Sequence, residues 1–182
     1  MLGRTHEIGA VAAALTIAPV ITDSNSIYMT VGFIVCAAIG GLLPDADTPN
    51  SKIGHRIFPL AWPAYLLRAI LRLIGKVIRP IGNLTKILAH RGIFHSPFIW
   101  TILFLACLFA ADDSCHIYIY GTMIGIASHL LLDYIAGGIP LLLPFTKKRF
   151  RFPLSVKTGG AMEFALEMVM LTYCLLTVSK QL

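Results

Sequence analysis

The sequence predicts an all-α, polytopic membrane protein of about five transmembrane helices, with a basic amphipathic helix on the membrane surface between the second and third spans. Three observations predict it. Of 182 residues, 57% are hydrophobic and only 13% charged, where a soluble domain carries about 25% charged residues; the mean hydropathy is +0.77. The apolar residues gather into runs approaching the roughly 20 needed to cross a bilayer. The 15 Lys and Arg, set against 9 acids, fall mostly between those runs, as they do in membrane proteins. One membrane-embedded domain over residues 1–182 follows. The same arithmetic excludes a disordered chain, a basic nucleic-acid-binding protein and a disulfide-stapled secreted domain.

The spans are expected at residues 8–22, 26–44, 97–111, 117–136 and 161–178. The first is short, holds Pro19 and follows a lone Arg4 with no small-x-small cleavage site after it, so it reads as a retained helix. A polar turn from Thr22 to Ser26 leads into the second. Ser96 and Pro97 open the third as an N-cap and a first-turn proline. Residues 139–145 form a short re-entrant or interfacial piece. From 58 to 88, Arg68, Arg72, Lys76 and Arg79 recur at helical spacing on a surface otherwise filled by Leu and Ile, the pattern of a helix lying among headgroups; an ordinary surface helix is the alternative. Cys36, Cys107 and Cys174 sit inside apolar runs and Cys115 in a short loop, so no disulfide or zinc knuckle emerges.

Lys and Arg fix the expected orientation. The loops at Asp23 and from Asp112 to His116 carry none, whereas Lys52, Arg56, the amphipathic helix, Arg91 and Lys147, Lys148, Arg149, Arg151 and Lys157 all fall on the other side. The positive side faces the cytoplasm, which puts the N-terminus there.

On that topology, polar residues that hydrophobicity does not explain converge at one level. His6 starts the first span, Asp45 and Asp47 end the second, His90 and His95 start the third, and His129 and Asp133 fall in the last turns of the fourth, with Glu163 opening the fifth. Singly, several have bland readings: His6 as an interfacial histidine, Asp45 and Asp47 as a solvated turn, His90 and His95 as decoration of a turn. His129 and Asp133 are different, because i,i+4 spacing puts both on one face of an otherwise apolar helix. Imidazoles and carboxylates without thiolate make the ligand set of a divalent ion, Zn or Mn, and the candidates suffice for one or two ions.

Thr5-His6, Leu43-Pro44-Asp45-Ala46-Asp47 with Pro49, His90-Arg91-Gly92-Ile93-Phe94-His95-Ser96 and Ser128-His129-Leu130-Leu131-Leu132-Asp133 resemble, in order, the motifs of the YdjM-type family of bacterial inner-membrane, metal-dependent hydrolases. The resemblance runs from residue 5 to at least Glu163. It implies that His6, Asp45, Asp47, His90, His95, His129 and Asp133 are ligand or catalytic positions, with Glu163 carried over beside them.

Three functions are open at this stage. A membrane hydrolase would act at the cytoplasmic leaflet on a phosphoester or lipid-like substrate, with Arg91 as a bidentate phosphate anchor. A cation or proton transporter would need polar residues through both halves of the spans, and the outer halves lack them. A noncatalytic membrane adaptor with a structural metal would bind the ion without turnover. Membrane lipids are the expected partners.

Overall fold

A computed structural model describes residues 1–22, 26–47, 92–143, 145–146, 148–153 and 155–180, with Ser51, Ile53, Leu66, Ala69, Ile70 and Leu73 as isolated positions. Among the described residues the fold is all-helical, with five α-helices: α1 (Gly3–Ile21), α2 (Ile27–Gly40), α3 (Pro97–Ala110), α4 (Asp113–Ala136) and α5 (Ala161–Ser179). Two 3₁₀ turns, Leu43–Asp47 and Ile93–His95, sit between α2 and α3 in the chain.

Two helices, α4 and α5, are long and apolar enough to cross a membrane. At 14 residues each, α2 and α3 reach about 21 Å, short of the ~30 Å hydrocarbon core. Helix α1 has 19 residues, but its first turn, Arg4-Thr5-His6-Glu7, is polar. The boundaries depart from the sequence reading for physical reasons. Helix α1 begins at Gly3 because Thr5 and His6 of that polar turn face the protein interior, and α2 stops at Gly40 because the chain turns inward there to deliver Asp45. Helix α4 begins at Asp113, since an acidic residue in a first turn suits the positive end of the helix dipole. Ser96 holds the N-cap position of α3 but does not cap it; its hydroxyl donates to Leu143 O at 2.7 Å.

Helix α4 is the hub, packing against α1, α2 and α3, while α5 lies on α1. The α2–α4 seam is made of small residues. A Cβ on Gly121 would stand 2.4 Å from Phe33 O, one on Gly125 2.0 Å from Ala37 O, and one on Gly40 2.1 Å from Thr122 O. Gly121 and Gly125 form a small-xxx-small pair that lets two backbones touch, the way apolar helices associate where lipid removes any hydrophobic drive between them. Outward faces are large and apolar: α3 has no buried residue, and Phe109 is 92% exposed. Bare surface of this kind across α1, α2, α3 and α5 is what a bilayer covers.

Beyond α4 the chain doubles back. Gly138, at φ 82°, turns Ile139 into an antiparallel bridge with Phe150, N to O at 2.9 Å both ways. The segment 58–88 lies mostly outside the described residues. Leu66, Ala69, Ile70 and Leu73 are helical and exposed, and their i, i+3, i+4, i+7 spacing is one apolar helix face.

Candidate metal centre

Four pieces of chain meet at the inner end of α4. Helix α1 contributes His6 from its first turn. That turn has no cap of its own, and α5 supplies one: Glu163 Oε1 accepts from Leu2 N at 2.6 Å and Thr5 Oγ1 at 2.8 Å, and its Oε2 accepts from Gly159 N at 2.6 Å. A carboxylate there also faces the positive end of the α1 dipole. One turn along α5, buried Glu167 takes Arg4 in two-pronged fashion, Nη2 to Oε2 at 3.0 Å and Nε to Oε1. Held at both corners, the first turn of α1 keeps His6 pointed inward, 1% exposed.

The 3₁₀ turn after α2 presents Asp45, and Ser51 Oγ donates to the Asp45 carbonyl at 2.6 Å. The turn before α3 presents His95, tied down by Trp100 Nε1 donating to Phe94 O at 2.7 Å. His129 and Asp133 come from one face of α4, continuing the stripe of Gly121 and Gly125. The glycine seam is what places His129: with α2 and α4 in backbone contact, Gly41 O lies 2.7 Å from His129 Nδ1. Gly41 itself tolerates no side chain, since a Cβ would meet Ala10 Cβ at 2.6 Å and His6 O at 3.0 Å.

Together these side chains close a ring of three imidazoles and two carboxylates. His6 Nε2 lies 3.4 Å from Asp133 Oδ1, Asp133 Oδ2 lies 3.4 Å from His95 Nε2, His95 Nε2 lies 3.4 Å from Asp45 Oδ1, and Asp45 Oδ1 lies 3.8 Å from His129 Nε2. The His129 ring then stacks on His6 with centroids 3.7 Å apart. Asp133 Oδ1 also accepts from Met1 N at 3.0 Å. Burial disfavours the charged form of both groups carried on the turns, but their neighbours outweigh it. Asp45 sits below the usual carboxylate range because the His95 imidazole stands beside it and the rings of His129 and His6 surround it. His95 sits above the usual imidazole range because Asp133 and Asp45 flank it.

The donor set fits a metal ion. A carbonyl only accepts, so His129 Nδ1 carries the proton and Nε2 keeps its lone pair. Among the described residues that Nε2 is buried with no hydrogen-bond partner, as is His6 Nδ1. A ring nitrogen whose partner N–H is fixed on a backbone carbonyl is the usual arrangement of a metal-ligating histidine. The 3.4 Å separations are long for charge-assisted hydrogen bonds, about 2.7–2.9 Å. They match the ~3.3 Å edge of a tetrahedron with bonds of 2.0–2.1 Å. Two three-residue groups satisfy the spacing, His6, His129 and Asp133, and Asp45, His95 and His129, each with ligand atoms within 4.8 Å of one another.

Of the residues expected at the site, the structure brings together His6, Asp45, His95, His129 and Asp133. Asp47 closes the Leu43–Asp47 turn, while His90 and Arg91 lie outside the described residues, as do the bases of the 58–88 segment. Glu163 stands behind the ring with three donors on its carboxylate. His116 lies at the opposite end of α4, its Nε2 3.0 Å from Leu108 O. Sequence reasoning missed Glu167, Gly41 and the glycine seam. For the seam a signal existed, Gly121 and Gly125 four residues apart and in phase with His129 and Asp133.

The family model of the YdjM inner membrane protein matches residues 1–181. The Bacillus subtilis protein YvsG, itself uncharacterized, is 32% identical over 165 residues, covering 90% of this chain and 85% of that protein. The inner membrane protein YdjM of Escherichia coli is 30% identical over 123 residues, which is 65% of this chain and 52% of that protein, and its Shigella flexneri counterpart matches equally. The chain thus spans about half the length of the Escherichia coli relative. No solved structure matches. By the match along its whole length, the chain is a membrane protein of the YdjM family.

Proposed function

We propose that the chain is a membrane-bound, metal-dependent hydrolase whose site opens at the cytoplasmic interface of a bacterial inner membrane, and that its substrate is a phosphoester of lipid-like character. The observation that carries this is His129: a buried imidazole held by Gly41 so that a bare Nε2 faces Asp45 at 3.8 Å. A structural histidine would spend both nitrogens on hydrogen bonds.

In this reading all five helices span, α2 and α3 crossing a locally thinned bilayer, with the N-terminus cytoplasmic. His6, His129 and Asp133 would hold one ion, and Asp45 and His95, beside His129 and Asp133, would hold a second, with Asp47 and His90 as the further ligand candidates. A divalent ion such as Zn or Mn would supply Lewis acidity there. The protein supplies the rest. Arg91, between two ligand positions, takes the phosphoryl oxygens through its planar fork and aligns the group. Glu163 and Glu167 are positioning residues that keep the first turn of α1, and so His6, in register. Burial of the ring excludes bulk water and strengthens each of these interactions.

The test is turnover of a panel of phosphoesters and phospholipids by purified, metal-loaded protein, with Arg91→Lys beside the wild type. Cleavage of phosphoesters, with most of the rate lost in Arg91→Lys and metal retained, supports the reading. Phosphoesters left intact while peptide or amide bonds are cut would overturn the substrate class.

A further inference from the structure

Between α3 and α4 runs a cavity of about 280 Å³. One wall is Trp100, Leu103, Phe104 and Cys107, whose i, i+3, i+4, i+7 spacing is a single face of α3 over two turns. The other wall runs along α4 from Ile119 to Ile126, seven residue steps and so roughly 10 Å. The cavity is a narrow channel, and its polar groups are already occupied: Thr122 Oγ1 donates to Tyr118 O and Trp100 Nε1 to Phe94 O. A peptide segment seated here would leave its buried backbone groups without hydrogen-bond partners, which is unfavourable. Hydrocarbon would not.

One end of the channel abuts the His/Asp ring at three points. Leu43 belongs to the turn that carries Asp45, Trp100 is bonded to the turn that carries His95, and Ile126 lies one turn before His129. Leu43 and Trp100 pack against the core cluster of Ile126, Leu130 and Ile139, and Leu130 follows the ring's His129 in α4. We propose that this channel seats a single hydrocarbon chain of the substrate, with the polar head of the same molecule at the ring. The proposal rests on the hydrolase reading above and narrows it to amphiphiles. At about 30 Å³ per water-sized group the volume admits roughly nine methylenes.

The test uses the full chain in nanodiscs carrying Trp62→Phe, so that Trp100 is the sole tryptophan. Alkyl phosphates from ethyl to dodecyl, brominated at the chain end, are titrated while Trp100 fluorescence is read and metal content is measured on the same samples. Affinity should rise about fourfold per methylene and level off near nine carbons. Cys107→Phe, which narrows the far end of the channel from a lipid-facing helix, should bring the plateau several carbons earlier at wild-type metal content. Three results would overturn the proposal: a rise with no plateau, which is partition into the bilayer; an unchanged profile in Cys107→Phe; or equal binding of alkyl alcohols, which would mean a lipid or detergent chain with no tie to the ring. If metal is stoichiometric and any of these occurs, the channel assignment alone fails. A wild-type protein without metal would instead sink the hydrolase reading, and the substrate assignment with it.

Discussion

Replacing Gly125 by Ala changes one hydrogen into a methyl on an α-helix, a substitution that favours the helix itself by about 1 kcal/mol. Here it should cripple the ring. The added Cβ would lie 2.0 Å from Ala37 O and 2.7 Å from Gly41 N, both backbone atoms that cannot rotate away. Relief requires the end of α2 to retreat by roughly 1 Å or more. Gly41 N bonds Ala37 O at 2.8 Å, so Gly41 moves with Ala37, and its carbonyl leaves His129 Nδ1, now 2.7 Å away. Loss of a second-shell partner of this kind weakens metal binding about 10–100-fold. Competition with a chelator of known affinity, on protein extracted from membranes, measures the change. Gly32→Ala is the control on the same pair of helices: its Cβ would strike the ring edge of Tyr118 at 2.5 Å, a side chain that can swing aside, and affinity should stay within a few-fold of wild type. Wild-type affinity in Gly125→Ala would refute the claim that the glycine seam sets the His129 tautomer.

Three further outcomes are expected. Cys115, exposed in the first turn of α4, should react with a membrane-impermeant maleimide in intact cells, while a reporter at Lys148 reads cytoplasm; an external reading at Lys148 would invert the site. Glu163→Gln should insert normally yet bind metal about tenfold more weakly, since hydrogen bonds to a charged group contribute about 1.5–3 kcal/mol and two of them, from Leu2 N and Thr5 Oγ1, hold the turn that carries His6; unchanged affinity would show that the turn holds itself. Metal should be released on acidification at a higher pH than an ordinary imidazole would give, because His95 must lose its proton to bind and its pKa lies above the usual value; release only where an ordinary imidazole protonates would contradict this.

Much of the ring was legible because its residue types are out of place in apolar sequence. His129 and Asp133 share a helix face by spacing alone, and Asp45 after Pro44 and His95 before Ser96 stand at the ends of apolar runs, where a chain leaving the membrane can turn. Elements whose signal is a missing side chain were not legible in that way. Gly41 acts through a carbonyl and Gly125 through the absence of a Cβ, and neither carries a charge to attract notice. Glu167 was read as part of an apolar span, and its value depends on Arg4, 163 residues away in sequence. Helix limits misled for a related reason: the starts of α1 and α4 are polar because one faces a site and the other a helix dipole, and hydropathy counts both as outside the span.

Elemental analysis of the purified chain tests the central claim most directly, with Asp133→Ala and His116→Ala prepared alongside. The account predicts one to two divalent ions per wild-type chain, none held stoichiometrically by Asp133→Ala although it still inserts, and a wild-type content in His116→Ala, whose histidine lies at the far end of α4. A wild-type protein loaded with excess zinc and manganese that retains neither, or equal metal loss in His116→Ala and Asp133→Ala, would contradict it.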